Sequence, residues 1–351
     1  MKFLRLAFYV LIAQLVLSGC AGEGVEETSS SSSSEINFDA YLGRNASTRA
    51  GVTNIDSLKK SGFGVFARYN HNGATSPLMD NENVTWNGDH WGYANTRYWP
   101  NEGSVDFYAF APYLKNVKNL VCAPDSIKDN PTCIEFTSSN SNVDLVWDVQ
   151  KNKTVPTSST DGKVKFQFKH ALARLGFDIT ANQDLEENGA VITVDSVKLY
   201  GDTIVNGAFD IKGYLNLENG GWSRPEKNTR VVYTWTPTGK EDGTFKLSAS
   251  QLDHTCPRIE NASNSYLCII PQEKWQKFYL QITYTVRQGA FFQEEVTVKK
   301  DLTGISKPFK FEQGKAYVFH LKLSLDPINF NISTTVGSWG VGVVNNETMF
   351  L

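Results

Sequence analysis

Two kinds of side chain in this 351-residue sequence have the chemistry to react or to ligate: histidines beside carboxylates, and cysteines. The five histidines, His71, His90, His170, His254 and His320, are scattered, and none falls in an HExxH pair or beside a candidate nucleophile. His170 sits in a short apolar run, where a structural role is expected rather than that of a general base. Glu294 and Glu295 are adjacent. On a strand they face opposite sides, where a general acid and base would be badly placed. Gly62-Phe63-Gly64 lacks the rest of a nucleotide-binding fingerprint. The expectation is a chain that is not an enzyme, with no metal site and no cofactor. Cysteine is more informative. Cys122 and Cys133 flank one short segment and Cys256 and Cys268 another, and neither pair has the CxxC or Cys/His spacing of a metal or redox site. In an exported protein these four read as two local disulfides, of which 122–133 with 256–268 is the most local of three pairings. Closing loops this short stabilises by roughly 3 kcal/mol each in the chain-entropy account. Free buried thiols are the competing reading.

The fifth cysteine, Cys20, supplies the compartment. Lys2 and Arg5 give a positive start, and Leu6 to Leu17 form an apolar run interrupted only by Gln14, too short to span a bilayer and followed at once by small residues. Leu17-Ser18-Gly19-Cys20 resembles the bacterial lipobox, in which the signal is cut before the cysteine and the thiol takes a diacylglyceryl group. A plain secretory signal with a chance cysteine is the alternative. Several acyl chains hold a folded exterior domain to a membrane as one chain does not. The acidic stretch Ala21 to Glu27 and the serines Ser29 to Ser34 bury too little apolar surface to fold, so they form a tether of about 20 Å. Acidic residues after a lipidated cysteine also resemble the surface-export signal of Bacteroidetes lipoproteins.

The formal net charge of −3 and pI near 6.0 leave no electrostatic footprint for nucleic acid. Past the tether the apolar pattern has period two almost throughout. Phe63, Val65, Ala67 and Tyr69 alternate with other residues, as do Leu280, Ile282, Tyr284 and Val286, with Gly, Asn, Asp and Pro clusters between such runs. Only Ile55–Lys60 and His170–Ala173 allow single helical turns. The chain is therefore all-β, built of sandwiches or barrels. The expected organisation is a signal peptide over 1–19, lipidated cysteine and tether over 20–35, an N-terminal β-sandwich over 36–162, and a C-terminal β-sandwich with a terminal strand over 163–351. The boundary follows the polar stretch Thr154–Asp161 and precedes the run that restarts at Val164.

Several phrases then fall in a telling order. They are Ile36-Asn37-Phe38, Thr48-Arg49-Ala50, Trp86-Asn87-Gly88, Tyr98-Trp99-Pro100, and Asp106 to Tyr113, followed by Phe168 to Leu175, Phe311 to Tyr317, Ile328-Asn329-Phe330 and Val336 to Trp339. Each is weak alone; their order and their conjunction with the lipobox resemble the fimbrillin (FimA- and Mfa-like) family of Bacteroidetes pilus proteins, from about Ile36 to Trp339. Read without the family, Trp86, Trp99, Tyr108 and Phe110 are core residues of the first sandwich and Trp339 plugs the second. An exposed aromatic platform for carbohydrate is the rival reading.

The resemblance implies two tandem transthyretin-like Greek-key β-sandwich domains, and a structural or adhesive pilus subunit at the surface of the outer membrane. Its partners would be other fimbrillin subunits, the outer membrane through the lipid, and a host or bacterial surface ligand. It also implies that an arginine-specific protease removes the first strand, and that a neighbour's strand refills the groove as β-augmentation. Here Ile36, Phe38 and Ala40 are the inward set, Arg44 is the candidate cleavage site and Arg49 the second. The plainer reading leaves both arginines in a solvated loop. The donor would be the C-terminal tail, where Ile328, Phe330 and Ile332 alternate and Val341, Val343 and Met349-Phe350-Leu351 follow; the same tail also reads as the domain's own last strand. A monomeric surface glycan-binding lipoprotein or adhesin is the alternative function, and a surface hydrolase the third.

Overall fold

Residue alternation translates directly into architecture. Along Lys163–His170, residues Val164, Phe166, Phe168 and His170 are buried while Lys163, Lys165, Gln167 and Lys169 are exposed. A strand with one face on a core and one in water has this pattern. Such strands dominate the computed structural model, which describes residues 34–42, 55–116, 120–121, 132–138, 143–157, 162–181, 190–201, 209–224, 230–235, 245–248, 267–273, 277–302, 310–323, 331–338 and 347–350.

In chain order the first strands are β1 (Asn37–Leu42), β2 (Phe63–His71), β3 (Ala74–Trp86), β4 (Trp91–Gly92) and β5 (Ser104–Ala111). Next come β6 (Leu120–Val121), β7 (Thr132–Thr137), β8 (Val146–Lys153) and β9 (Lys163–His170). They continue as β10 (Ala173–Ala181), β11 (Ala190–Tyr200), β12 (Phe209–Asp210), β13 (Lys212–Asn216) and β14 (Trp222–Ser223). Then follow β15 (Arg230–Val231), β16 (Tyr233–Trp235), β17 (Phe245–Ser248), β18 (Leu267–Ile269) and β19 (Gln272–Glu273). The last are β20 (Tyr279–Gln288), β21 (Phe292–Asp301), β22 (Lys310–Phe311), β23 (Lys315–Leu323), β24 (Asn331–Ser338) and β25 (Glu347–Phe350). One helix, α1 (Ile55–Ser61), is present among the described residues. Asp56 in its first turn and Lys59 and Lys60 in its last complement the helix dipole. Gly62, at φ +64°, ends it by donating its N–H to Leu58 O at 2.9 Å.

The first sheet runs β1-β9-β8-β5-β2-β3-β4, and β1 lies at its edge, parallel to β9. Both faces of this sheet are apolar, because period two sends alternate residues of β2, β5 and β8 to opposite sides. One face carries Phe63, Val65, Val105, Phe107, Val164, Phe166 and Phe168 and is covered by Leu58, Trp91 and Trp99. The other carries Phe66, Tyr108, Phe110 and Trp147 and meets Ile134, Phe136, Leu215 and Leu217. Those last four come from β7, β13 and the turn after β13, in a four-stranded sheet ordered β14-β13-β7-β6. That sheet is nonlocal. β7 pairs with β13 from Cys133↔Asn216 to Thr137↔Lys212, so a segment before β8 is stitched to one after β11.

The third core lies between the sheet β18-β10-β23-β24-β25 and the sheet β16-β11-β20-β21, where Phe177, Ile179, Phe319 and Leu321 face Ile192, Leu199, Leu280 and Ile282. Here too an early strand pairs in parallel with a late one, β10 with β23. Residues Ser34–Leu351 make one compact unit.

The structure departs from three expectations. The expected boundary near Gly162 falls between β8 and β9, which pair in one sheet at Val146↔His170 and Trp147↔Lys169, so the run restarting at Val164 completes the first core. Alternation fixes a strand's inward face but not which sheet receives it. The turn expected at His170–Ala173 is not helical; it joins β9 to β10 directly. The third concerns Cys268, which is free and 1% exposed, packed with Ile270 and Leu172, so the expected 256–268 disulfide is not formed at this thiol. Here the side chain serves as a small apolar filler, and burial pushes its ionisation well up, which keeps it protonated.

Candidate functional site

The first strand enters its core as a row of three plugs. Ile36, Phe38 and Ala40 are each 1% exposed, whereas Asn37 is exposed and Asp39 half-buried. The Phe38 ring is the centre of the contact. It stacks on Phe166 at 5.7 Å, meets Phe107 and Phe63 edge-on at 6.0 and 6.3 Å, and tilts against Tyr93 at 5.4 Å. Burying a side chain of this size is worth about 1.5 to 3 kcal/mol, and Ile36 adds a comparable amount. Facing outward, Tyr41 donates to Asp39 Oδ2 at 2.6 Å, and that hydrogen bond to a carboxylate raises the phenol's ionisation.

Two different edges hold the strand. On one side β1 is in parallel register with β9, from Asn37↔Lys163 to Leu42↔Phe168. β9 is in register with β8 only at Lys169 and His170, and farther along the Gln167 N–H goes to the buried Asp148 carboxylate at 2.8 Å. β1 is therefore the register partner for most of β9. On the other side the segment Tyr93–Trp99 grips residues just before β1. Ile36 N–H donates to Arg97 O at 2.8 Å, Trp99 N–H donates to Ser34 O at 2.9 Å, and Glu35 and Tyr98 form an antiparallel bridge. Removing β1 would strip backbone groups on both flanks and expose the Phe63, Phe107 and Phe166 rings together.

Cys20, Arg44, Arg49, Cys122 and Cys256 lie outside the described residues, as do Ile328, Phe330, Trp339, Val341, Val343 and Leu351. Arg44 and Arg49 fall in the connection from Leu42, the end of β1, to Ile55, the start of α1. Cys133 is buried in β7 opposite Leu120 of β6, so Cys122 follows directly on the strand that pairs with it. In the tail, Ile332 belongs to β24 and Met349 and Phe350 to β25, both in the sheet of their own chain: β24 pairs with β23 and β25 with β24.

The other sequence candidates resolve into structural roles. Trp99, Tyr108 and Phe110 are buried and Trp86 is half-buried, packing edge-on against Trp91 at 5.4 Å, so these aromatics build cores rather than an exposed row. His170 Nδ1 lies 2.8 Å from Asp144 Oδ2 in a largely buried pair. Among the described residues no group of three or more His, Cys, Asp or Glu is placed to hold a metal, and no helix is long and apolar enough to cross a membrane. Sequence reasoning missed the grip of Tyr93 and Arg97 on residues 34–36. Arg97 acts through its backbone and Tyr93 through a hydroxyl bonded to backbone, and neither leaves a pattern of residue types in the sequence.

The fold has known counterparts. Residues 48–339 match a family described as fimbrillin-like. The fimbrium subunit Fim1C of Phocaeicola vulgatus is 31% identical over 187 residues, covering 47% of this chain and 48% of that protein, so the match spans about half of the relative's length. A crystal structure of a fimbrial protein from Bacteroides vulgatus superposes with a TM-score of 0.60 at 21% identity, over 87% of this chain and 99% of that one. A candidate cell adhesion protein from Bacteroides uniformis gives a TM-score of 0.50 at 18% identity, over 87% and 99% of the two chains. At these identities the two structures speak to the fold alone.

Proposed function

This chain belongs to the fimbrillin-like family, and on that premise we propose that it is a structural or adhesive subunit of a cell-surface pilus, exported as a lipoprotein on Cys20 and assembled by strand exchange. One observation carries the reading. The first strand sits at a sheet edge, buries three side chains in an aromatic groove, and connects to the rest of the fold through the segment that holds Arg44 and Arg49. Cutting after either arginine frees lipid and strand together while every other strand of the sheet stays covalently in place. The empty groove then presents apolar rings and the β9 backbone, a demand that a strand from a second copy meets with both hydrogen bonds and side chains.

The donor is the C-terminal tail of the neighbouring subunit. β25 lies at a sheet edge and pairs with β24 at Ser333–Val336 only, so detaching it leaves the pairing of β23 with β24 intact. Other fimbrillin subunits are thus the principal partners, with the outer membrane holding the unprocessed form through its lipid. The bond between Cys122 and Cys133 belongs to the same exported state, and the β6–β7 register supports it. The buried positions of Trp99, Tyr108 and Phe110 weigh against a monomeric glycan-binding role for these aromatics.

Mass-spectrometric reading of the mature N-terminus, on protein taken from native cell surfaces, tests the processing step. Subunits in a shaft are expected to begin at Asn45 or Ala50, and anchoring subunits at a lipidated Cys20. A polymer built entirely of chains that retain residues 34–42 would remove cleavage from the account.

A further inference from the structure

The groove has a second wall whose role goes beyond lining it. We propose that Tyr93–Trp99 is a clasp that fixes the polarity and register of the strand in the groove and sets how long that strand stays. This rests on the reading of β1 as a replaceable strand and names what governs its replacement.

The clasp is built at both ends. At one end the Tyr93 ring packs on Phe38 at 5.4 Å while its hydroxyl donates to Ile36 O at 2.8 Å and accepts from Arg97 N–H at 3.1 Å. At the other the Trp99 ring is buried, edge-on to Phe107 at 5.6 Å. Between the two anchors the backbone makes its bonds to Ser34 and Ile36. The loop is tied to the body through Asn95, whose amide donates to the Glu82 carboxylate of β3 at 3.2 Å.

Polarity follows from having two unlike edges. The occupant must run parallel to β9 and antiparallel to the Glu35–Tyr98 bridge position at once, and a strand entering backwards fails both patterns. Register follows from Tyr93. Its hydroxyl meets a backbone carbonyl two residues before the side chain that fills the aromatic pocket, so a slip by one residue would present a polar position to Phe63, Phe107 and Phe166. The hydrogen bonds of the clasp go to backbone and read no side chain. Selectivity then falls on the buried positions, an apolar residue at the Ile36 site, an aromatic ring two residues on against Tyr93, and a small residue at the Ala40 site.

The test uses the full chain. In uncleaved protein, hydrogen exchange of the Ile36 and Trp99 amides should quicken about tenfold in Tyr93→Phe, the loss of one partly buried hydrogen bond and its relay. Asn95→Ala, at an exposed position, should give a smaller rise, and Tyr41→Phe at the far end of β1 none. With a protease site placed between residues 43 and 54 and cut, a labelled peptide of residues 34–42 should replace the native strand about tenfold faster in Tyr93→Phe than in the parent. Exchange and replacement rates in Tyr93→Phe that match Tyr41→Phe would overturn the clasp while leaving strand exchange intact. Faster amide exchange with no replacement of the cut strand in any variant would support the clasp and sink the replaceable-strand reading instead.

Discussion

Phe38→Ala is expected to destabilise the intact chain by about 3 to 5 kcal/mol, the range for emptying a large aromatic from a packed core. Phe38 is 1% exposed, four rings close around it, and the strand that carries it lies at the sheet edge, in register with β9 alone along Asn37–Leu42. The cavity falls between Phe166 and Phe107, and β5, which carries Phe107, also presents Tyr108 and Phe110 to the core behind the sheet, so collapse is resisted from that side. Asn37→Ala, exposed on the same strand, is expected to change stability by less than about 0.5 kcal/mol. Urea denaturation followed by tryptophan fluorescence compares the two. A Phe38→Ala midpoint indistinguishable from that of Asn37→Ala would mean that the groove is not filled by this strand in solution.

Gly220→Ala is the second large effect, at about 2 to 4 kcal/mol from strained backbone and overpacking combined. Gly220 has φ +76°, and a Cβ there would lie 2.1 Å from Trp147 Cζ2 and 2.6 Å from Cε2. Trp147 cannot yield easily. It is 6% exposed in the core behind the first sheet, and the Gln313 amide joins its indole Nε1 at 2.8 Å to Gly220 O at 2.9 Å. The same region carries the Lys212–Glu135 ion pair at 2.8 Å and the buried Ser138 hydroxyl, which lies 2.8 Å from Tyr233 OH and donates to Cys268 O at 2.9 Å. Faster amide exchange across β7 and β13, with the β20–β21 hairpin unchanged, is the expected pattern in Gly220→Ala. An unaltered urea midpoint would show that the turn relaxes without moving Trp147.

The two substitutions mark what the sequence shows and what it hides. Period-two alternation at Ile36, Phe38 and Ala40, and again at Val164, Phe166 and Phe168, is enough to place both sets on a core, because the pleat allows only two faces. It says nothing about the parallel pairing of β1 with β9 across more than a hundred residues, nor that Val164 completes the first core. β7 was hidden for a related reason. Cys122 and Cys133 read as the ends of a closed loop, which fits the local β6–β7 pairing but gives no sign that the second partner of β7 is β13, far along the chain. Cysteine spacing likewise cannot distinguish a bridge from the buried free thiol of Cys268, since both satisfy the same local sequence. The aromatic phrases are legible as core, and Trp99 is found where large apolar residues on short elements belong. Its neighbour Tyr93 works mainly through one hydroxyl bonded to backbone, which no pattern of residue types announces.

The central claim is that the first strand occupies a site meant for a strand from another copy. Size-exclusion chromatography with light scattering on the full chain, before and after complete cleavage between residues 43 and 54, tests it most directly. Cleaved protein is predicted to lose the fragment containing residues 34–42 and to shift from monomer to a ladder of oligomers that survive SDS and dissolve on heating. A cleaved chain that sheds its strand and stays monomeric at every concentration would contradict the account.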